Sequence, residues 1–389
     1  MKQLYPLCLC LFGLLMHITA SAQTGTTLTG SIRAGGRVRD YRLYVPPSYQ
    51  PGRAVPLLFN LHGYGSTNLS QERSCDFRAI ADTAGFLIVH PNGTIDPGTS
   101  YLYWNAWNQS GGPDDVVFLS ALFDTLAQRY TLDPDRLYSA GYSNGGFMSY
   151  ELACHLGPRI AAVASVCGSM ENSRPGACRP THPTPVMEIH GTGDTNVTYN
   201  GGSWFVSIPT VLNYWVQANG CNPTPVITPV PDSDPNDNST AEHSVWRGNR
   251  VGAVVEHFRI INGGHVWPGG PLSSTDVVNR DISASQEVWR FLRRYRLSRL
   301  TLATAPAAQL RPLKVFPNPV AEQLTVQAAA GLRPEQLRIS NALGQAMPLQ
   351  LLPDPKGAVR LETSHWAPGV YVLQVLSGPL QGQRVRVVK

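Results

Sequence analysis

Apolar and polar residues alternate along "TTLTGSIRAGG" and "RVRDYRLYVPPSY" near the start of the chain. A period of two predicts two antiparallel strands joined at Gly35-Gly36, with Val38, Tyr41, Leu43 and Val45 facing inward. The pattern then changes. "VPLLFNLHG", "GFLIVHPNG", "DRLYSAGYS", "IAAVASVCG", "TPVMEIHG" and "VVEHFRIINGGH" are short apolar runs, each ending in a loop that carries Gly or Pro. Between them, residues 75–84, 115–130, 146–156, 206–219 and 282–295 place apolar residues at helical spacing. Continuous apolar strands alternating with amphipathic helices predict an α/β fold with a doubly wound, mostly parallel sheet covered on both faces. Ligands of such sheets bind beyond the carboxyl ends of the strands.

Two loops break this rhythm. Residues 94–112, "TIDPGTSYLYWNAWNQSGG", are aromatic and lack periodicity, and a loop of that length is uncommon unless it is functional. Residues 223–240 form a second loop, rich in Pro, Asp and Asn. From about residue 300 the helical pattern decays into "TLATAPAAQLRP", after which short alternating strands resume and continue to the last residue. Residues 23–298 therefore read as the α/β domain, residues 299–313 as a linker, and residues 314–389 as a small all-β sandwich. The sandwich contains no cysteine and no cluster of catalytic residue types.

Only 15% of the 389 residues are charged, against about 25% in an average soluble domain, while glycine (36) and proline (32) are plentiful. The net charge of +5 comes without a Lys/Arg block, so neither nucleic acid nor an anionic membrane is implied as a partner. "MKQLYPLCLCLFGLLMHITASAQ" carries Lys2, an apolar run and Ala20-Ser21-Ala22, which predicts a signal peptide over residues 1–22 and a mature chain from Gln23. No later segment has the apolar length of a membrane span. Of the seven cysteines, Cys75, Cys154, Cys167, Cys178 and Cys221 remain in the mature chain. Their connectivity does not follow from sequence; Cys178 with Cys221 is the favoured pair and Cys167 with Cys178 its rival. No metal site and no cofactor are expected, because C-x-x-C and H-x-x-x-H pairs are missing.

Chemistry concentrates at Gly141-Tyr142-Ser143-Asn144-Gly145, a G-x-S-x-G pattern between an apolar run and a helix-like segment. That strand-turn-helix setting is what a nucleophile elbow requires. The turn forces its serine into a strained conformation, and glycines on either side relieve collisions. A serine hydroxyl needs a base, and His265 lies in a glycine-rich loop directly after an apolar strand; His257, within that strand, reads as structural. Asp194 follows the preceding strand and supplies the orienting acid. Ser143, Asp194 and His265 stand in the chain order of the α/β-hydrolase triad. Backbone N–H groups of Gly63 or Tyr64, together with Asn144, are the oxyanion donors. Trp104, Trp107 and Trp267 lie in loops expected to border the site, as an apolar platform or as plain loop packing. Asp114 and Asp115 read as a helix N-cap and a first-turn charge.

"LHGYG", "DPDRLYSAGYSNGGFMSYELAC", "EIHGTGDTNVTYNGG", "WVQANGC" and "INGGHVWPGG" together resemble the secreted esterases that include polyhydroxybutyrate depolymerase-like proteins and family 1 carbohydrate esterases. The resemblance runs over about residues 28–295 and implies triad roles for Ser143, Asp194 and His265. It implies a polymeric ester substrate, with feruloyl or acetyl groups on plant cell-wall polysaccharide ahead of a polyhydroxyalkanoate. Where many relatives carry a Cys-Gly stretch, this chain has "WNQSGGPDD". "FPNP", "ISNALGQ" and "GVYVLQV" resemble the sorting domain of the type IX secretion system, implying that machinery as a partner and an extracellular or cell-surface location. The rival from another class is a non-catalytic, surface-displayed binding module.

Overall fold

A computed structural model of the protein describes residues 24–106, 112–249, 251–271, 273, 275–301, 313–327, 332–341, 345–353, 358–376 and 384–389. The signal-peptide residues lie outside this set. Two compact units divide at Ala303/Thr304.

The larger unit runs β1 (Thr26–Ala34), β2 (Arg37–Val45), β3 (Val55–Leu61), α1 (Asn68–Ser74), α2 (Arg78–Ala84), β4 (Leu87–Pro91), β5 (Thr94–Ile95), β6 (Leu102–Tyr103) and α3 (Asp115–Ala127). It continues with β7 (Leu132–Tyr142), α4 (Asn144–His155), β8 (Ala162–Val166), α5 (Arg174–Ala177), β9 (Val186–Gly191), α6 (Ile208–Ala218), β10 (Val226–Pro229), β11 (Thr240–Trp246), β12 (Val255–Ile261), α7 (Ala284–Leu292) and α8 (Leu297–Thr301). Ten strands form one sheet in the order β1-β2-β4-β3-β7-β8-β9-β12-β11-β10. From β4 to β12 the pairing is parallel, with an antiparallel pair at each edge.

The central strands are parallel because both their faces are buried. Every residue of β3 is buried, with Leu57, Phe59 and Leu61 in the core under α3, α4 and α6 and Leu58 in the core under α2 and α7. Helix α3 starts where the Asp114 carboxylate accepts the Val117 N–H, and it buries Phe118, Leu119, Leu122, Phe123 and Leu126 on one stripe. Helix α7 buries Val288, Trp289, Phe291 and Leu292, with the Trp289 ring stacked 3.7 Å from that of Phe86. Strand order reverses at β3, since β4 lies on one side and β7 on the other. The crevice at such a reversal, above the carboxyl ends of β3 and β7, is where this topology leaves room for a ligand.

Several local expectations need correction. Val38 is 63% exposed, because it is out of phase with the inward Tyr41, Leu43 and Val45. Residues 75–84 are not one helix: Cys75 caps α1, and α2 begins at Arg78. The polar loop of residues 223–240 contains strand β10, which pairs with β11 as the sheet's outer edge. Asp114 and Asp115 do take the N-cap and first-turn positions of α3, and Asp115 is in addition a buried partner of Arg39 at 2.7 Å. The disulfide is Cys154–Cys178, in place of either pair favoured from sequence. The end of α4 and the C-cap of α5 bring their Cα atoms to 5.1 Å, within bonding range, while Cys75, Cys167 and Cys221 remain thiols.

The smaller unit has β13 (Lys314–Phe316), β14 (Gln323–Gln327), β15 (Leu337–Asn341), β16 (Ala346–Met347), β17 (Leu351–Leu352), β18 (Val359–Glu362), β19 (Val370–Val375) and β20 (Arg384–Val388). They make two four-stranded antiparallel sheets, β13-β14-β18-β17 and β16-β15-β19-β20. Leu324, Val326, Ile339, Leu361, Leu373 and Val375 alternate inward from both sheets to form its core.

Candidate active site

Strand β7 ends and helix α4 begins within two residues, and Ser143 is the residue between them. Its backbone sits at φ 53, ψ −119, a conformation that costs a non-glycine residue about 1–3 kcal/mol. The surroundings hold it there. A Cβ on Gly141 would lie 2.1 Å from the Gly145 carbonyl oxygen, and one on Gly145 would lie 2.2 Å from that of Leu61. Only glycine allows the elbow to press this closely on β3. The Ser143 N–H also donates to Val166 O at 2.8 Å, tying the turn to β8.

His265 arrives from the loop after β12. Its Nε2 lies 3.0 Å from Ser143 Oγ and its Nδ1 2.7 Å from Asp194 Oδ2. The loop is pinned at several points: His265 N–H donates to Asp276 Oδ1 at 3.1 Å, and the Tyr142 hydroxyl donates to the His265 carbonyl at 2.6 Å. Asp194, just after β9, accepts the N–H groups of Asn196 and Val197 on Oδ1, each at 2.9 Å. Burial alone would raise its carboxyl pKa, yet hydrogen bonds and charge from His190 and His265 hold it well below the usual carboxylate range. Asp194 is thus an acceptor, and His265 Nδ1 carries the proton between them. Nε2 is left with its lone pair toward Ser143.

The loop after β3 faces the same point. His62 is buried, and burial pushes its pKa down to about 4, so it is neutral. Its Nε2 accepts the Gly93 N–H at 2.9 Å, which puts the proton on Nδ1, and Nδ1 donates to Gly63 O at 2.7 Å. The Asn144 side chain is turned to Trp104, accepting from the N–H at 2.7 Å and donating to the carbonyl at 3.0 Å. What Asn144 can offer a ligand is its backbone N–H, which as the first of α4 has no intrahelical acceptor. Above Ser143 and His265 lies a cavity of about 530 Å³, bounded by Tyr64, Asn196, Val197 and Trp204. A second, of about 330 Å³, shares Ser66, Tyr142 and His265 with the first and is also lined by Ser70, Ser74 and Asp276.

Cys167, Asp194 and His265 place one ligand-type atom each within 4.8 Å of one another. Burial pushes the Cys167 thiol well up, and it donates to Val266 O at 3.2 Å. With both His265 nitrogens committed, this cluster fits a hydrogen-bonded chain beside a neutral thiol rather than a metal centre.

Over 300 residues the chain is 30% identical to the "Putative esterase NocK" of Nocardia uniformis subsp. tsuyamanensis, covering 69% of this chain and 83% of that protein. The chain belongs to this esterase family. It is also 27% identical to a bifunctional acetylxylan esterase/xylanase of Neocallimastix patriciarum, over 68% of this chain, and 27% identical to feruloyl esterase B of Piromyces equi, over 60%. The aligned parts span 35% and 44% of those two relatives. Residues 76–175 match the prolyl oligopeptidase family, and residues 314–389 match the secretion system C-terminal sorting domain. The esterase is therefore an exported hydrolase with a type IX sorting domain, and among its described residues no helix is long and apolar enough to cross a membrane.

Of the tryptophans expected around the esterase's site, Trp104 is fully buried, donating its ring N–H to His62 O at 2.9 Å. It supports the Gly63 loop from behind instead of facing a ligand. Trp267 is also buried, its ring N–H on Ser285 Oγ and its ring against Phe77, although it touches the smaller cavity. Trp107 lies outside the described residues. The tryptophan that does border the larger cavity is Trp204, 44% exposed and stacked 5.3 Å from Phe147. The sequence carries no motif that marks Trp204 as a cavity wall, nor one that marks Tyr142 and Asp276, whose role is to hold the backbone of His265.

Proposed function

We propose that this esterase hydrolyses esters carried on a polymer, phenolic or acetyl esters of plant cell-wall polysaccharide, through an acyl-enzyme on Ser143. The observation that carries the reading is the continuous hydrogen-bonded chain from Ser143 Oγ through His265 to Asp194 at the floor of an open cavity. His265 Nε2 takes the Ser143 proton as Oγ attacks the ester carbonyl carbon. The oxyanion that forms is met by the N–H groups of Asn144 and of Gly63 or Tyr64, each such donor being worth about 2.7–4 kcal/mol of barrier. His265 then returns the proton to the departing alcohol, and water repeats the sequence on the acyl-enzyme. Trp204 offers a flat apolar wall to an acyl group, while the hydroxyl-lined second cavity suits a sugar alcohol. The relatives named as acetylxylan and feruloyl esterases support the same substrate class.

The test is product release from methyl ferulate, acetylated xylan and a polyhydroxybutyrate suspension, by the protein and its Ser143→Ala variant. Ser143-dependent release from either of the first two is the expected result. Release from the third alone would make it a polyester depolymerase. No release from any of them, nor from an activated acetate ester, would favour a binding module.

A further inference from the structure

Behind Asp194 lies a second histidine that the acyl-transfer chain does not use. His190, on β9, is fully buried, and its two nitrogens meet only acceptors. Nδ1 is 2.9 Å from Glu188 Oε1. Nε2 is 2.7 Å from Val197 O and 3.4 Å from Asp194 Oδ2. A carbonyl oxygen cannot donate, so Nε2 carries a proton. The proton shared at the other end lies between Nδ1 and a carboxylate whose Oε2 already accepts the Tyr150 hydroxyl at 2.5 Å.

We propose that His190 is a positioning residue, a buried imidazolium that holds the Asp194 carboxylate toward His265 and sets the pH range in which His265 acts as a base. The inference rests on the reading of Ser143, Asp194 and His265 as the triad. Val197 is the mechanical link. It gives its N–H to Asp194 Oδ1 and receives the His190 N–H on its carbonyl, so the two side chains clamp one residue of the cavity wall between them.

The charges around His190 agree. Burial would lower its pKa, but Asp194 and Glu188 hold it up to about 9. His257, from β12, donates its Nδ1–H to the Glu188 carbonyl and faces the Tyr199 hydroxyl with Nε2; burial pushes it down to about 3, so it is neutral. The Tyr199 ring lies 6.0 Å from that of His190, and Cys167 is a neutral thiol. Arg259, opposite His190 in the sheet register, is half exposed and paired with Glu242. Burial raises the Glu188 carboxyl, against the hydrogen bonds from His190 and Tyr150 that hold it down; where Glu188 is ionised the pair adds no net charge, and its positive end is the one against Asp194.

The sign of the effect follows. A positive charge beside Asp194 offsets part of the negative charge that carboxylate presents to the His265 ring. Removing the imidazolium takes that offset away and moves the acidic limb of activity upward. A Glu188 left ionised by the substitution pushes in the same direction.

The test uses His190→Gln and the double variant Glu188→Gln/His190→Gln, which leaves no lone carboxylate in the core, beside Ser143→Ala. Expected is an upward shift of about 1 unit in the acidic limb of kcat/KM, with kcat lowered about tenfold. An acidic limb that stays in place in both variants, while Ser143→Ala is inactive, overturns this inference and leaves the triad reading standing. Turnover by Ser143→Ala would instead remove the triad. In the unsubstituted enzyme, nitrogen NMR of labelled histidine is expected to show one imidazole with both nitrogens protonated at about pH 8. A spectrum of neutral imidazoles alone overturns the proposal without any variant.

Discussion

Asp194→Asn tests the site at its most constrained point. Oδ1 of Asp194 faces two backbone donors, the N–H groups of Asn196 and Val197, and Oδ2 faces the ring nitrogens of His265 and His190. An asparagine must place its oxygen on one side and its NH₂ on the other. The backbone donors cannot change, whereas an imidazole can move its proton, so the amide oxygen stays with the backbone and the NH₂ turns to His265. That NH₂ demands a lone pair on Nδ1 and drives the His265 proton to Nε2, where an N–H then points at Ser143. The base is lost while the fold is retained. A wrong-tautomer histidine of this kind costs about ten-thousand-fold in kcat, or about 5.5 kcal/mol of barrier. The assay is kcat on a soluble acetate ester at pH 7, with circular dichroism and thermal unfolding to show that the variant is folded. A folded Asp194→Asn protein within tenfold of the parent would refute the assigned roles of Asp194 and His265.

Three further outcomes are expected. Cys154→Ser opens a cross-link between residues 24 apart, and chain entropy for a loop of that size predicts a loss of about 3.5 kcal/mol in urea unfolding under oxidising conditions. Burial would raise the Glu256 carboxyl, but His243, Arg294 and Arg290 lower it from 4.5 to about 2, so its contribution is complete above pH 4.5 and is lost as pH falls toward 2. Glu256→Gln should therefore cost about 3 kcal/mol at pH 7 and almost nothing at pH 2, measured by urea unfolding at both; an equal cost at the two pH values would rule out the ionic account. Trp204→Ala should raise KM for methyl ferulate about threefold to tenfold and leave that of an acetate ester nearly unchanged, whereas equal effects on both would remove Trp204 as an aromatic acyl wall.

What the chain's own pattern determined is whatever depends on neighbours in sequence. Unbroken apolar runs such as residues 55–61 need cover on both faces, so the parallel sheet and its flanking helices were legible before any coordinates. Glycines packed around Ser143 marked a turn without room for side chains, and loops directly after apolar strands pointed to Asp194 and His265, whose side chains the structure brings together with Ser143. Edge strands were not legible in the same way. Residues 226–229 are exposed throughout, and their strand exists only because β11 offers a free row of hydrogen-bonding groups. The disulfide partner of Cys178, the burial of Trp104 and the exposure of Trp204 were likewise decided by how α4, α5 and the loops pack. His190 shows the division most sharply. Within the run "VMEIHG" strand periodicity puts it on the same face as Glu188, two residues before, and only the closure of the loop after β9 places its other nitrogen against Val197 and Asp194. Sequence specifies which face a side chain takes; what it meets there depends on strand order and loop closure over tens of residues, and those are set by the whole core at once.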